Sequence, residues 1–242
     1  MILAGLFALV AILFASVGQG GAPGYVAVMA LFGFAPAAIK PVALALTMLV
    51  AAIGILRFHT MGLLVTRDWL PFTILGIPAS VLGGMINLPP DSFRLVLAAI
   101  LLAAAFQMAR SALKAAAIDS AAAAPSHAIA VPLGGAIGLA AGITGIGGGL
   151  FIAWLMMTQG WAPTKRVAAA AQVSNFTTAA AASGAIWATH PALPPALPQW
   201  MLMAALGGFA GAWMGAKYLP AKVLRFLLAA ILLASAVKLA LF

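Results

Sequence analysis

Long apolar runs alternate with short polar or glycine-rich breaks along this chain. In the first half the apolar segments are Met1–Val17, Tyr25–Phe34, Val42–Leu56, Trp69–Ile86 and Phe93–Met108. After the Ala-rich stretch "AAAIDSAAAAPSH" come Ala128–Ala141, Leu150–Gln159, Val167–Ala188, Trp200–Ala216 and Val223–Leu241. Several approach the roughly 17–25 residues that carry a helix across a bilayer. None shows the alternating polarity of a membrane β-barrel. The second segment of each half is too short to cross alone. Each pairs with the segment before it across a glycine stretch, "GQGGAPGY" from Gly18 and "GITGIGGG" from Gly142. The pattern predicts an all-α polytopic membrane protein, each half a broken helix pair plus three transmembrane helices. Residues 1–112 form the first repeat, 113–127 a linker and 128–242 the second repeat, within one membrane domain. Met1–Val17 lacks the positive n-region of a signal peptide and reads as the first membrane segment.

The halves repeat each other. A shift of 127 carries Gly18, Gly20, Gly21 and Gly33 onto Gly145, Gly147, Gly148 and Gly160, and Ala35-Pro36 onto Ala162-Pro163. A shift of 131 carries "RLVLAAILLAAA" from Arg94 onto "RFLLAAILLASA" from Arg225, and Gly76, Gly84 and Pro89 onto Gly207, Gly215 and Pro220. The extra four positions fit a longer second-half loop, "THPALPPALPQ".

Composition agrees with a membrane protein. Of 242 residues, 65% are hydrophobic and 6% charged, against about 25% charged in soluble domains. The absence of cysteine excludes disulfides, thiol nucleophiles and cysteine-held metals. The net charge of +9 comes from basic residues scattered at segment ends, the membrane-anchoring pattern. No basic run with interleaved aromatics occurs, so nucleic acid is not expected as a partner. Arg57 and Arg67 follow the third segment of the first half. In the second half Lys165 and Arg166 precede it, and Lys217 to Arg225 carries three basic residues. With basic loops cytoplasmic, the halves are inverted, with both termini outside and the linker inside. Lys40 and Arg94 fall on the wrong side of that scheme.

Broken helices at the midplane are a transporter plan in which unwound backbone meets substrate. Gly20, Gly21, Ala22, Pro23 and Gly24 head one short helix, and Gly145, Ile146, Gly147, Gly148 and Gly149 head its counterpart. A helix start carries about +0.5 of an elementary charge, and two facing starts form an anion site without a charged side chain. Gln19, Tyr25, Thr47, Gln172, Ser174 and Asn175 are the candidate polar contacts, with Thr47 aligned on Ser174. Thr177 and Thr178 read as ordinary interhelical hydrogen bonds. Gly134, Gly138 and Gly142, and Gly207, Gly211 and Gly215, are spaced four apart and read as packing glycines. Arg57, Arg67, Lys165 and Arg166 could draw anions to the cytoplasmic mouth, or simply anchor.

The acids Asp68, Asp91 and Asp119 fall in loops or the linker, so no carboxylate relays protons within a span. No Ser-His pair, metal-ligand cluster or P-loop is placed for catalysis. Neither enzyme activity nor a metal or other cofactor is expected.

The doubled pattern of glycine stretch, short apolar run, G-x-x-P and Ala-rich helix resembles the TauE/SafE family of sulfite and organosulfonate exporters. The second copy, "GITGIGGGLFIAWLMMTQGWAPTKRVAAAAQVSN", carries the resemblance best. Gly145 to Gly149 meets the family's G-x-G-G-G stretch. Ser174-Asn175 and Thr47-Met48 stand where the family has a T-S pair, and Ala22-Pro23 replaces further glycine. The resemblance implies a bacterial inner-membrane transporter for a small sulfur-containing anion such as sulfite, sulfoacetate or a related sulfonate. Its partners would be that substrate, membrane lipids and, as an open option, a second copy in a homodimer. Potential-driven export is the expectation. Uptake of the same anion class, thiosulfate included, and a non-transporting scaffold are the alternatives.

Overall fold

The computed structural model describes residues 2–113, 126–188, 193–214 and 221–241. They form ten helices and, among the described residues, no strand. The first five are α1 (Ile2–Ser16), α2 (Ala22–Leu31), α3 (Pro36–Thr60), α4 (Thr66–Met85) and α5 (Pro90–Leu113). The second five are α6 (His127–Thr144), α7 (Gly149–Gln159), α8 (Thr164–Trp187), α9 (Leu197–Met214) and α10 (Ala221–Leu241). Most of the linker assigned to 113–127 lies outside the described residues, as do Asp119, His190, Gly215, Lys217 and Pro220.

Helix boundaries follow the two offsets. The shift of 127 carries the first residue of α2, Ala22, onto Gly149, the first of α7, and the last of α3, Thr60, onto Trp187, the last of α8. The shift of 131 carries Thr66 and Pro90 onto Leu197 and Ala221, where α9 and α10 begin. Gly21 turns the chain into α2 with φ 87°, and Pro23 sits in the first turn, where its missing N–H costs nothing. α3 is longer than its apolar run because Pro36 opens it and Pro41 is accommodated within it.

That extension corrects the placing of Lys40, which the sequence pattern left between segments. It lies inside α3 and is 5% exposed. Its ammonium donates to the carbonyls of Gly83 (3.3 Å), Gly84 (2.9 Å) and Ile86 (3.0 Å) at the end of α4. A cation at a helix C-terminus meets both unpaired carbonyls and the negative end of the dipole.

The first helix of each half packs along the fourth helix of the other. A Cβ at Gly134, Gly138 or Gly142 would strike the α4 backbone at Phe72, Gly76 and Ser80 in turn. α6 and α4 therefore run side by side in the same direction with their backbones nearly touching. Gly207 and Gly211 of α9 meet Ala8 and Ile12 of α1 in the same way. These glycines serve close packing, the main source of helix affinity where lipid is as apolar as leucine.

α3 and α8 run in opposite senses. Gly54 faces Gln172, whereas Leu44 packs with Ala179, Ala182 and Ile186. α5 begins where α10 ends, since Leu97 and Leu239 line one cavity. α3 forms the centre, with Val42 to Leu46 fully enclosed. Outer faces carry bare apolar side chains, among them Ile74 and Leu82 of α4, Phe106 of α5, and Leu206 and Phe209 of α9. Such a belt is unsuited to water and suited to lipid. Ala37–Thr60, Pro90–Arg110 and His127–Thr144 are long and apolar enough to cross a bilayer.

Candidate functional site

The two glycine breaks meet halfway along α3 and α8. A Cβ added at Gly20 would stand 2.9 Å from Asn175 Nδ2 and 3.2 Å from Thr47 Cγ2. One at Gly147 would stand 2.7 Å from Asn175 Oδ1 and 3.5 Å from Thr47 Cγ2. Thr47 and Asn175 thus stand against both breaks, and only glycine lets the backbones come so near.

Hydrogen bonding distinguishes the breaks. At the head of α7 the Gly148 N–H donates to Thr178 Oγ1 (2.9 Å) and the Gly149 N–H to Asn175 Oδ1 (2.8 Å). Thr178 in turn donates to the Ser174 carbonyl at 2.6 Å. At the head of α2 the chain closes Gly18 N–H onto Ala15 and Gln19 N–H onto Phe14. Beyond them, among the described residues, no protein group accepts from the N–H of Gly20, Gly21 or Ala22. All three residues are buried. Three buried unpaired donors in a row are a rare arrangement.

Hydroxyls of neighbouring residues are also unpaired, that of Thr47 on a side chain whose methyl Cγ2 faces Gly20 and Gly147. Tyr25 folds back over Gly21, whose added Cβ would stand 2.8 Å from the phenolic oxygen. The Tyr25 and Thr47 hydroxyls are buried with no partner, as is Gln172 Oε1. The region therefore offers backbone N–H groups, two O–H groups and the Asn175 amide. Asp68 and Asp91, expected in loops, stand instead in the first turns of α4 and α5, because both helices begin before their apolar runs.

The remaining candidates lie at varying distance from this centre. Gly148 packs on Ser174, with an added Cβ 2.5 Å from Oγ, and Gly149 presses on α8 at Ala171 and Asn175. Ala22 and Pro23 head α2, but Gly24 is pressed between Val10 and Phe14 of α1. Gly145 lies against Lys40, and Ile146 is enclosed in the apolar core. Gln172 faces Gly54, well along α3 from Thr47. Gln19 is half-buried and lines a cavity of about 40 Å³ with Gly18, Gln107 and Met157.

Three features escaped the sequence reading. Thr178 makes an interhelical bond, as expected, but onto the glycine break itself. Gln107, a lone amide in the apolar run "LLAAAFQMAR", marks a cavity wall. The basic mouth is largely committed to structure. Arg166 makes a two-pronged pair with the buried Asp68, at 2.8 and 2.6 Å, and Arg57 stands over the Trp213 ring at 5.3 Å. A buried carboxylate demands such a partner, so Arg166 is not free to draw anions. Arg67 and Lys165 remain exposed.

Known proteins bear on this arrangement. The family profile described as "Sulfite exporter TauE/SafE" matches residues 1–239. The "Probable membrane transporter protein y4hK" of Sinorhizobium fredii (strain NBRC 101917 / NGR234) is 44% identical over 235 residues, covering 96% of this chain and 95% of that protein. No solved structure gives a significant match. A ten-helix apolar bundle, a match over nearly its full length and a transporter relative covered from end to end agree: the chain belongs to the TauE/SafE family and is an integral membrane transporter.

Proposed function

We propose that the protein exports a small sulfur-containing anion, such as sulfite, sulfoacetate or a related sulfonate, across the bacterial inner membrane. The anion binds mid-bilayer at the head of α2. The observation that carries this reading is the run of unpaired, buried N–H groups at Gly20, Gly21 and Ala22 beside the unpaired hydroxyls of Thr47 and Tyr25. An oxyanion supplies acceptors for all of them, and the helix start adds its partial positive charge. Asp68, buried at the first turn of α4, is neutralised by its two-pronged pair with Arg166. Of the candidate residues, Gly20, Gly21, Ala22, Tyr25, Thr47, Gly147 and Asn175 form the immediate surroundings. Gln19 lies on the approach.

The two repeats, 1–112 and 128–242, are inverted in the membrane and act as one domain. The opposed senses of α3 against α8 and of α5 against α10 support this. Lys40 is no obstacle to the orientation with the linker inside, because it is a buried helix cap and not a loop charge. Transport proceeds by alternating access as the halves rock about the fixed centre. A negative cytoplasm drives an anion outward by about 2.3 kcal/mol per charge per 100 mV.

Labelled sulfite flux in proteoliposomes, with an imposed potential of each sign, tests this. Export predicts faster movement from the linker side when that side is negative. Flux indifferent to potential, or none for sulfite and sulfonates alike, would contradict it.

A further inference from the structure

Two cavities occupy equivalent places in the two halves. One, already described, lies between the end of α5 and α7. The other, of about 280 Å³, lies between the end of α10 and α2, against the start of α5. The shift of 131 carries Gln107 and Met108 of the first onto Lys238 and Leu239 of the second. The shift of 127 carries Ala30 of the second onto Met157 of the first. Since α5 begins where α10 ends, the cavities open at opposite ends of the bundle.

Their chemistry differs. The cavity at the linker end has no charged lining residue and includes Gln19 and Gly18 of the glycine break. The cavity at the other end is lined by Arg94 and Lys238. The Lys238 ammonium donates to the Leu31 carbonyl at the end of α2, which leaves further N–H groups of its three. Arg94 pairs with the exposed Asp91 at 3.7 Å, a pairing of little strength in water. Between this cavity and the glycine break runs a chain of rings. Phe34 meets Trp200 at 6.0 Å, Trp200 meets Phe7 at 5.3 Å, and Phe7 meets Tyr25 at 5.9 Å. Tyr25 covers Gly21.

We propose that the Arg94–Lys238 cavity is a second anion site, an antechamber on the terminal side of the protein, shut off from the midplane by the Phe34–Trp200–Phe7–Tyr25 chain. It takes the same class of small oxyanion, and this assignment rests on the transport reading above. Two cations lining one recess concentrate anions at that end, whereas the equivalent recess at the linker end is lined by the uncharged Gln19, Gln107 and Thr164. A lipid phosphate would satisfy the same groups, so the test separates the two.

The experiment measures the half-saturating sulfite concentration from each side, in neutral phosphatidylcholine liposomes with orientation scored by protease access to a C-terminal tag. Arg94→Gln with Lys238→Gln is expected to raise it roughly tenfold at the terminal side, the loss of charged hydrogen bonds to the anion, and to leave the linker side unchanged. Lys238→Arg restores it. Gln107→Lys combined with Lys238→Gln moves the tighter side to the linker end. Melting temperature confirms that each variant is folded, and Arg94→Gln alone leaves the α2–α10 contact intact. An unchanged value at the terminal side overturns the proposal. So does a difference that appears only when anionic phosphatidylglycerol is added, which would assign the recess to a lipid headgroup. Absence of sulfite transport by the unaltered protein from either side would defeat the transport reading instead.

Discussion

At the head of α7, the side chains of Asn175 and Thr178 accept the Gly148 and Gly149 N–H groups. At the head of α2, where the left-handed residue is Gly21 and not the counterpart of Gly147, Gly20, Gly21 and Ala22 have no acceptor among the described residues. Part of the difference lies in the helix that follows each break. Under the shift of 127, Ser174 corresponds to Thr47, but Asn175 corresponds to Met48 and Thr178 to Ala51. α3 has no polar atom where α8 has its two caps. At one break the protein accepts two of the donors, Gly148 and Gly149, and at the other it accepts neither of their counterparts, Gly21 and Ala22. Repeated sequence can be scaffold in one copy and binding surface in the other, and both the turn (Gly21 at φ 87°, its counterpart Gly148 at φ -82°) and the side chains on the neighbouring helix separate the two.

If that division is right, substitutions at the second break cost stability, and those at the first cost transport. The largest effect is expected from Asn175→Met, which installs the α3 counterpart. It strips the acceptor from the buried Gly149 N–H and drives a thioether between the breaks, a loss of about 3 kcal/mol read as a lower melting temperature in detergent. Gly20→Ala comes next. Its methyl meets Asn175 and Thr47 and covers the donors, so transport should fall about thirtyfold, or roughly 2 kcal/mol. Gly20 is not among the positive-φ glycines, so its backbone stays unstrained, but the methyl pushes on Asn175, the cap of the Gly149 N–H, and the melting temperature should fall by less than for Asn175→Met. Thr178→Ala should cost about 1.5 kcal/mol of stability by orphaning the Gly148 N–H, while the folded fraction transports normally. The smallest change is Thr47→Val, which deletes a buried hydroxyl that has no protein partner. The half-saturating sulfite concentration should rise about fivefold, near 1 kcal/mol, with stability equal or higher. A lower melting temperature with unaltered transport would mark Thr47 as structural and erase the contrast.

Much of the architecture was legible in the sequence because glycine and proline punctuate the membrane segments. Pro36, Gly149 and Pro90 fall at helix starts in the structure, and the four-residue glycine spacing of α6 marks a close-packing face, whose partner α4 only the structure reveals. What stayed hidden depends on partners remote in sequence. Lys40 looked like a loop charge because its acceptors are backbone carbonyls of Gly83, Gly84 and Ile86, which no side-chain pattern reveals. Asp68 and Arg166 are 98 positions apart, and only packing of α4 on α8 brings them together. Gln107 was lost within an apolar run, although its alignment with Lys238 under the 131 shift was available. The candidate site was read as two symmetric helix starts. Tertiary hydrogen bonding, invisible to any repeat, makes them unequal.

The most direct test uses selenite, a heavier analogue of sulfite, and locates its anomalous scattering in crystals of the protein. The peak should lie within hydrogen-bond distance of the Gly20, Gly21 and Ala22 nitrogens, beside Thr47 and Tyr25. A peak centred instead on Gly148 and Gly149, displacing Asn175 and Thr178, would contradict the account.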